Sequence, residues 1–104
     1  MGDFVKVATK DEVAAGAAKK VEVNGREIAL FNIDGAFYAI DEFCPHRGGP
    51  LSEGVVEDKV VTCPFHGWQF NVTDGECLTS PGVQQPKYEV KVEGNDILLL
   101  CQPK

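Results

Sequence analysis

The chain has 104 residues, 43% of them hydrophobic and 25% charged, which indicates a single folded domain and excludes a disordered chain. Sixteen acidic against ten basic side chains leave a formal net charge of −6, the wrong sign for a phosphate backbone, so we expect no nucleic-acid binding. No stretch approaches the roughly 20 consecutive apolar residues of a membrane span and no signal-peptide pattern is visible, so we expect a cytoplasmic protein without membrane contact.

The N-terminal part of the chain predicts short strands separated by turn residues. Residues 4–8 alternate apolar and polar side chains with the period of a half-buried strand. Thr9 and Glu12 then have the spacing of a capping box, but Gly16 limits any helix to about one turn. Residues 19–41 predict an antiparallel meander of three strands, because Asn-Gly at 24–25 and Asp-Gly at 34–35 favour two-residue hairpin turns.

The C-terminal part continues this pattern. Residues 68–78 predict a strand and a turn at Asp74-Gly75, and the sequence SPGVQQP predicts an ordered loop over residues 80–86. Residues 87–101 predict two strands joined around Gly94, Asn95 and Asp96. Six or more short strands without a long helix indicate an all-β sandwich or barrel.

Two cysteines and both histidines of the chain form a C-x-H and a C-x-x-H pair, Cys44 with His46 and Cys63 with His66. Thiolate and imidazole ligands suit zinc, iron–sulfur clusters or copper and exclude calcium and magnesium. One alternative is that these residues are ordinary core and surface side chains. A second is a structural zinc site, although zinc fingers usually pair like with like and place the histidines on a helix.

The sequences CPHRGG at residues 44–49 and CPFHGW at 63–68 resemble the two cluster-binding loops of Rieske iron–sulfur proteins. The resemblance extends over residues 4–101. It implies one [2Fe–2S] cluster per chain, with Cys44 and Cys63 on one iron and His46 and His66 on the other. These four residues are the predicted cofactor-binding and metal-binding site, and no catalytic residue is expected.

The resemblance also implies an architecture for the single domain of residues 1–104. We expect a Rieske-like antiparallel β-sandwich base formed by residues 1–42 and 79–104. Residues 43–78 would be inserted as a small cluster-binding subdomain. The loop at residues 80–86 is expected to cover the cluster from a third side.

Four positions in and after these loops distinguish the branches of the family. Gly49 and Phe65 stand where high-potential Rieske proteins have a pair of disulfide-bonded cysteines, and Trp68 and Phe70 stand where they have a serine and a tyrosine. Because hydroxyl donors to the cluster sulfurs are missing, we expect a reduction potential near the lower end of the family range, about −150 mV.

The function implied is that of a soluble one-electron carrier, not itself an enzyme. It would pass electrons from a flavin-containing reductase to a terminal oxygenase of the aromatic-ring-hydroxylating kind, as a monomer that binds both partners transiently. One alternative is a non-catalytic small subunit of a nitrite-reductase-like enzyme, which commonly lacks the four ligands retained here. Another is a cluster-based redox sensor.

The surface around the histidines is expected to contact the partners. His46 and His66 would be the electron port, with Arg47, Gly48, Gly49 and Pro50 as the docking rim. Residues 43–78 carry five acidic and two basic side chains, which would steer the carrier toward basic patches. Cys77 and Cys101 are interpreted as inert buried thiols, with a disulfide between them as the alternative.

Overall fold

A computed structural model of the chain describes residues 4–23, 25–43, 49–64, 67–80 and 82–100. Within these ranges it contains ten strands and two single-turn 3₁₀ helices, so the all-β prediction is confirmed. The strands are β1 (Phe4–Thr9), β2 (Ala18–Val23), β3 (Arg26–Ile33), β4 (Ala36–Asp41), β5 (Val55–Glu57), β6 (Val60–Thr62), β7 (Gln69–Asn71), β8 (Lys87–Tyr88), β9 (Val90–Glu93) and β10 (Asp96–Leu100). The 3₁₀ helices are Lys10–Glu12 and Leu51–Glu53.

The strands form three antiparallel sheets. The terminal sheet has the order β1-β10-β9, the central sheet β2-β3-β4-β8 and the small sheet β5-β6-β7. The predicted meander of three strands is therefore confirmed as β2-β3-β4. No helix among the described residues is long and apolar enough to cross a membrane.

The central sheet is buried on both faces. Along β3, Ile28 and Leu30 belong to a core that also contains Ile97 and Leu99 of the terminal sheet. The intervening residues of β3 belong to a second core, shared with Val61 and Phe70 of the small sheet. Because successive side chains of a strand point to opposite faces, the apolar sequence of β3 serves two layers at once.

The hairpin turns of the meander adopt the backbone that their sequences predict. Asp34 and Gly35 have φ of 52° and 91°, the left-handed values of a type I′ turn, and Ile33 pairs with Ala36 across it. Gly25 has φ of 79° in the other turn, where Val23 pairs with Arg26, while Asn24 lies outside the described residues.

The single helical turn after β1 is also confirmed. The Glu12 carboxylate accepts hydrogen bonds from the Thr9 backbone N–H (3.0 Å) and from Thr9 Oγ1 (3.1 Å). This bonding stabilises the start of the Lys10–Glu12 turn.

Two parts of the strand prediction differ from the structure. Residues 87–93, predicted as one strand, divide at Glu89 between β8 in the central sheet and β9 in the terminal sheet. Local alternation does not specify which sheet a strand joins, so the change of sheet could not be predicted. The hairpin β5–β6 was not predicted; it turns at Asp58, which has φ of 53°.

Candidate metal centre

The two ends of the first loop, residues 44–49, are held together at what we call its neck, residues 42–43 and 50–52. Phe43 pairs with Pro50 as an isolated antiparallel bridge. The Leu51 N–H donates to the Glu42 carbonyl oxygen (2.7 Å). The neck is thus closed by main-chain contacts directly beside Cys44.

A buried carboxylate completes this neck. Glu42 is only 1% exposed, and its side-chain oxygens accept hydrogen bonds from the Ser52 N–H (3.0 Å) and from Ser52 Oγ (2.7 Å). A buried carboxylate is costly unless both oxygens find donors, and here Ser52 supplies both. The residues just before and just after the first loop are therefore tied together by side chains as well.

The second loop, residues 64–67, is shorter and leaves the small sheet between β6 and β7. The Cys63 N–H donates to the Trp68 carbonyl oxygen (2.7 Å), and Thr62 pairs with Gln69. Gly67 has φ of 73°, a left-handed conformation that glycine adopts without strain. The Cys63 residue is 1% exposed, so its position at the end of β6 is both buried and fixed.

Both loops start from the same core. Leu51, at the exit of the first loop, and Cys63, at the start of the second, belong to one cluster of buried residues. Phe70 of the small sheet and Ile40 of the central sheet complete that part of the cluster. The core therefore brings the exit of the first loop and the start of the second to the same region of the molecule.

The predicted ligands are only partly covered by the description. Cys63 is placed as above, whereas Cys44, His46 and His66 lie outside the described residues, as do Arg47, Gly48 and Phe65. Over the described ranges, no three His, Cys, Asp or Glu side chains are grouped so as to hold a metal ion. A buried thiol on a tight loop, next to the neck of a second Cys–His loop, fits the donor chemistry of an iron–sulfur cluster.

The other predicted residues around the loops are described as follows. Gly49 is buried, Pro50 is half-buried in the neck, and Phe70 is fully buried. Trp68 is half-buried and packs against the core that contains Cys63. Cys77 is a buried thiol outside any disulfide, while Cys101 lies outside the described residues.

A third segment, residues 75–86, contacts residues that flank both loops. The Gln69 N–H donates to Thr79 Oγ1 (2.9 Å), which connects this segment to the strand after the second loop. Gln85 Nε2 donates to the carbonyl oxygens of Asp41 (2.9 Å) and Phe43 (2.7 Å), which connects it to the first. Apart from Pro81, the predicted loop of residues 80–86 is described, and it contributes the Gln85 contacts.

A hydrogen-bonded group of three side chains supports β4 where it leads to the first loop. The Tyr88 hydroxyl donates to the Asp41 carboxylate and accepts from Arg26 Nη1 (3.0 Å). Burial raises the pKa of Tyr88 to about 12, and the bond to Asp41 acts in the same direction. The hydroxyl is therefore neutral and donating over the ordinary pH range.

The sequence patterns did not single out Glu42, Ser52 or Gln85, although Gln85 lies in the loop of residues 80–86 that is predicted to cover the cluster. Each is a polar residue of a type that is mostly exposed, and its burial depends on contacts between segments far apart in the chain. The only sequence signal for Glu42 and Ser52 is their closeness to the CPHRGG motif.

The chain matches known proteins over almost its whole length. The Rieske [2Fe–2S] domain family matches residues 3–100. A ferredoxin component of naphthalene 1,2-dioxygenase/salicylate 5-hydroxylase systems from Ralstonia sp. is 35% identical, over 93% of this chain and 94% of its own length.

Solved structures agree with this match. A chain in a complex of reduced oxygenase and oxidised ferredoxin of carbazole 1,9a-dioxygenase superposes with a TM-score of 0.90 at 31% identity, covering 97% of this chain and 95% of that one. A protein assigned as an NADH-dependent nitrite reductase small subunit from Mycobacterium tuberculosis gives a TM-score of 0.88 at 27% identity, covering 95% of both chains.

Proposed function

Because the chain belongs to the Rieske [2Fe–2S] domain family, we propose that it carries single electrons from a flavin-containing reductase to a terminal oxygenase. The observation that carries the proposal is the match to a ferredoxin component over 93% of this chain and 94% of that protein. The chain is an electron-transfer component with a [2Fe–2S] cluster, and the cluster, when bound, takes up and releases one electron at a time.

We assign the cluster ligands to Cys44 and Cys63 on one iron and His46 and His66 on the other. The burial of Cys63, and its place in one core with Leu51 of the first-loop neck, support this assignment. Two neutral imidazoles in place of two thiolates leave the site with less negative charge, so an arriving electron is less strongly repelled.

The chain's own residues would keep this geometry constant during electron transfer. The neck contacts of Glu42 and the Cys63–Trp68 bond hold the ends of both loops. The imidazoles would form the electron port, with residues 47–50 as the rim. Phe43, which is 46% exposed beside Cys44, would add apolar contact area for a partner.

A reduction potential near −150 mV is expected for this site. Phe70 is fully buried and has no hydroxyl, so it cannot donate a hydrogen bond to a cluster sulfur as a tyrosine could. Protein-film voltammetry measures this directly, and a clearly positive potential at neutral pH would contradict the low-potential assignment.

The proposal also includes the division of the chain and its state in the cell. The small sheet lies wholly within residues 43–78, which supports a cluster-binding subdomain on a base of residues 1–42 and 79–104.

The protein would act as a cytoplasmic monomer that meets its partners transiently. Sedimentation analysis of the holoprotein tests this, because a stable dimer would contradict it.

A second candidate is a small subunit of a nitrite reductase, favoured by the similarity to such a protein at a TM-score of 0.88. Retention of both Cys–His pairs in this sequence supports the electron carrier over a subunit that lacks the cluster. Co-purification with a large enzyme subunit from the native host would favour the second candidate.

The ligand assignment is tested by comparing two buried thiols of the same core. Protein purified without oxygen should contain iron and acid-labile sulfide in equal amounts and give the visible and reduced-state EPR spectra of a Rieske cluster. Cys63→Ser should lose the cluster, whereas Cys77→Ala, the matched control, should retain it. A Cys63→Ser protein with the normal spectrum would overturn the assignment.

A further inference from the structure

Gln85 is a buried amide, 3% exposed, at the end of the loop of residues 80–86. Its Nε2 donates to the carbonyl oxygens of Asp41 (2.9 Å) and Phe43 (2.7 Å). Asp41 is the last residue of β4, and Phe43 belongs to the neck directly before Cys44. Both amide protons of one side chain are thus used on the main chain that leads into the first loop.

The backbone of Gln85 is held independently of its side chain. Its N–H donates to the Gly75 carbonyl oxygen (2.7 Å). A Cβ on Gly75 would lie 2.1 Å from the Gln85 carbonyl oxygen, so only glycine permits this approach. Gly75 in turn donates its N–H to the Asn71 carbonyl oxygen (2.7 Å), which ties it to the end of β7. Gln85 is therefore anchored to the small sheet.

Gln85 consequently links the segment that follows the second loop to the segment that precedes the first. The polar and main-chain contacts at the first-loop neck, Glu42 with Ser52 and Phe43 with Pro50, join the two ends of that loop to each other. Leu51 packs the exit of the loop into the core that also contains Cys63. The amide of Gln85 adds a hydrogen-bonded link between the segment after the small sheet and the residues that enter the first loop.

The geometry points to Gln85 as a positioning residue of the cluster site, which sets the placement of the Cys44 loop relative to the Cys63 loop. This inference rests on the proposed ligand assignment. Since a cluster held by both loops would depend on their relative placement, a change in that placement would alter its ligation and its access to solvent. Both properties determine the reduction potential and the EPR signal.

The neighbouring residue provides a matched control. Gln84 has the same side chain and also donates Nε2 to a carbonyl oxygen, but its acceptor is Asp74 (2.8 Å) and not residues 41–43, and its side chain is exposed. If any glutamine-to-methionine change in this segment disturbed the cluster, both variants would show altered EPR spectra and potentials. Only the Gln85 variant is expected to do so.

The test compares Gln85→Met and Gln84→Met as purified holoproteins. Methionine keeps the length of the side chain but donates no hydrogen bond. We expect Gln85→Met to broaden the reduced-state EPR lines. We also expect it to change the equilibrium constant for reduction of the cluster by roughly threefold or more; for one electron, a tenfold change corresponds to a potential shift of about 59 mV. Gln84→Met should match the wild type in both measurements.

Two further variants separate positioning from general destabilisation. Gln85→Asn keeps the donors on a shorter side chain that cannot reach both carbonyls, and it serves if the methionine variant does not fold. Ile97→Val removes one methyl group from the other core and should leave the EPR spectrum and potential unchanged.

A folded Gln85→Met or Gln85→Asn protein with wild-type line widths and potential would overturn the positioning role. A wild-type protein without a Rieske spectrum would instead overturn the proposed function. The two failures are thus distinguishable.

Discussion

Gly75 and Gly25 share a backbone conformation but not an environment. Their φ angles are 80° and 79°, both in the left-handed region that disfavours other residues. A Cβ on Gly25 would meet nothing within 4 Å, whereas on Gly75 it would collide with the Gln85 carbonyl oxygen. The two positions therefore separate the cost of left-handed backbone from the cost of close approach.

Gly25→Ala should lower the free energy of unfolding by about 1–2 kcal/mol, the cost of a left-handed non-glycine residue. Gly75→Ala should lower it by about 1–3 kcal/mol more, because the main chain of residue 85 must also move. Urea denaturation of the two holoproteins measures the difference. Equal losses in the two variants would show that residues 75 and 85 separate without cost.

Tyr88 gives the protein a specific stability loss at high pH. Its pKa is raised to about 12 in the folded protein, against about 10 in an unfolded chain. The stabilisation that comes from the neutral hydroxyl is complete below pH 10 and is lost as the pH rises from about 10 to about 12. The unfolded state loses its proton first over this window, so folding becomes less favourable.

Tyr88→Phe should remove this part of the pH dependence. Between pH 8 and 11.5 we expect the free energy of unfolding of the wild type to fall by about 1–2 kcal/mol more than that of the variant. Denaturant titrations at several pH values test this. Parallel pH profiles for the two proteins would contradict the raised pKa.

At the scale of elements, the ends of the first loop are joined at the neck by hydrogen bonds to the buried carboxylate of Glu42. Glu42 precedes the loop, Ser52 follows it, and the two side chains bond directly at 2.7 Å. The 3₁₀ turn Leu51–Glu53 places Ser52 there and buries Leu51 in the core. The neck therefore depends on a contact between elements that flank the motif.

Ser52→Ala should destabilise the protein by about 1–3 kcal/mol, because it leaves a buried oxygen of Glu42 without its donor. Ser80→Ala, in the loop after Cys77, removes a half-buried serine hydroxyl elsewhere and serves as the control. Thermal and urea unfolding provide the comparison. If Ser52→Ala is no less stable than Ser80→Ala, the side-chain bond at the neck contributes nothing to stability.

At the scale of the whole molecule, we expect the net charge of −6 to influence encounters with redox partners. Exposed acidic residues of the small-sheet region include Glu53, directly after the first-loop neck, and Glu57 and Asp58 at the far turn. Long-range attraction to a basic partner acts over roughly 8–10 Å at moderate salt and weakens as salt is added. The rate of electron transfer to such a partner should therefore also fall as salt is added.

The rate of reduction of a basic acceptor such as cytochrome c should fall as ionic strength rises. Glu53→Gln should flatten that dependence more than Glu22→Gln, which removes the same charge from an exposed position on strand β2. Stopped-flow kinetics at several salt concentrations distinguishes the two. An equal effect of both variants would mean that only net charge matters, and a salt-independent rate would exclude electrostatic docking.

The sequence alone was sufficient for those features that depend on neighbours in the chain. The turns at residues 25 and 34–35, the capping of Lys10–Glu12 by Thr9 and Glu12, and the strands between them depend on backbone preferences of a few consecutive residues. The Cys–His pairs were equally visible, because the spacing within each pair is a local property of one short segment. The all-β class could be predicted from these features, and the resemblance of the two loops to those of Rieske proteins implied the family and the cofactor.

Only the tertiary structure decided which distant segments meet. The alternating sequence of residues 87–93 could not specify that its two halves join different sheets. The apolar sequence of β3 likewise could not specify that the strand contributes to two cores. Glu42 and Gln85 have the composition of surface residues, and their burial appears only when residues 52 and 41–43 come within hydrogen-bonding distance. Local preferences determine the elements, whereas the burial of a polar group depends on the partners that folding brings to it.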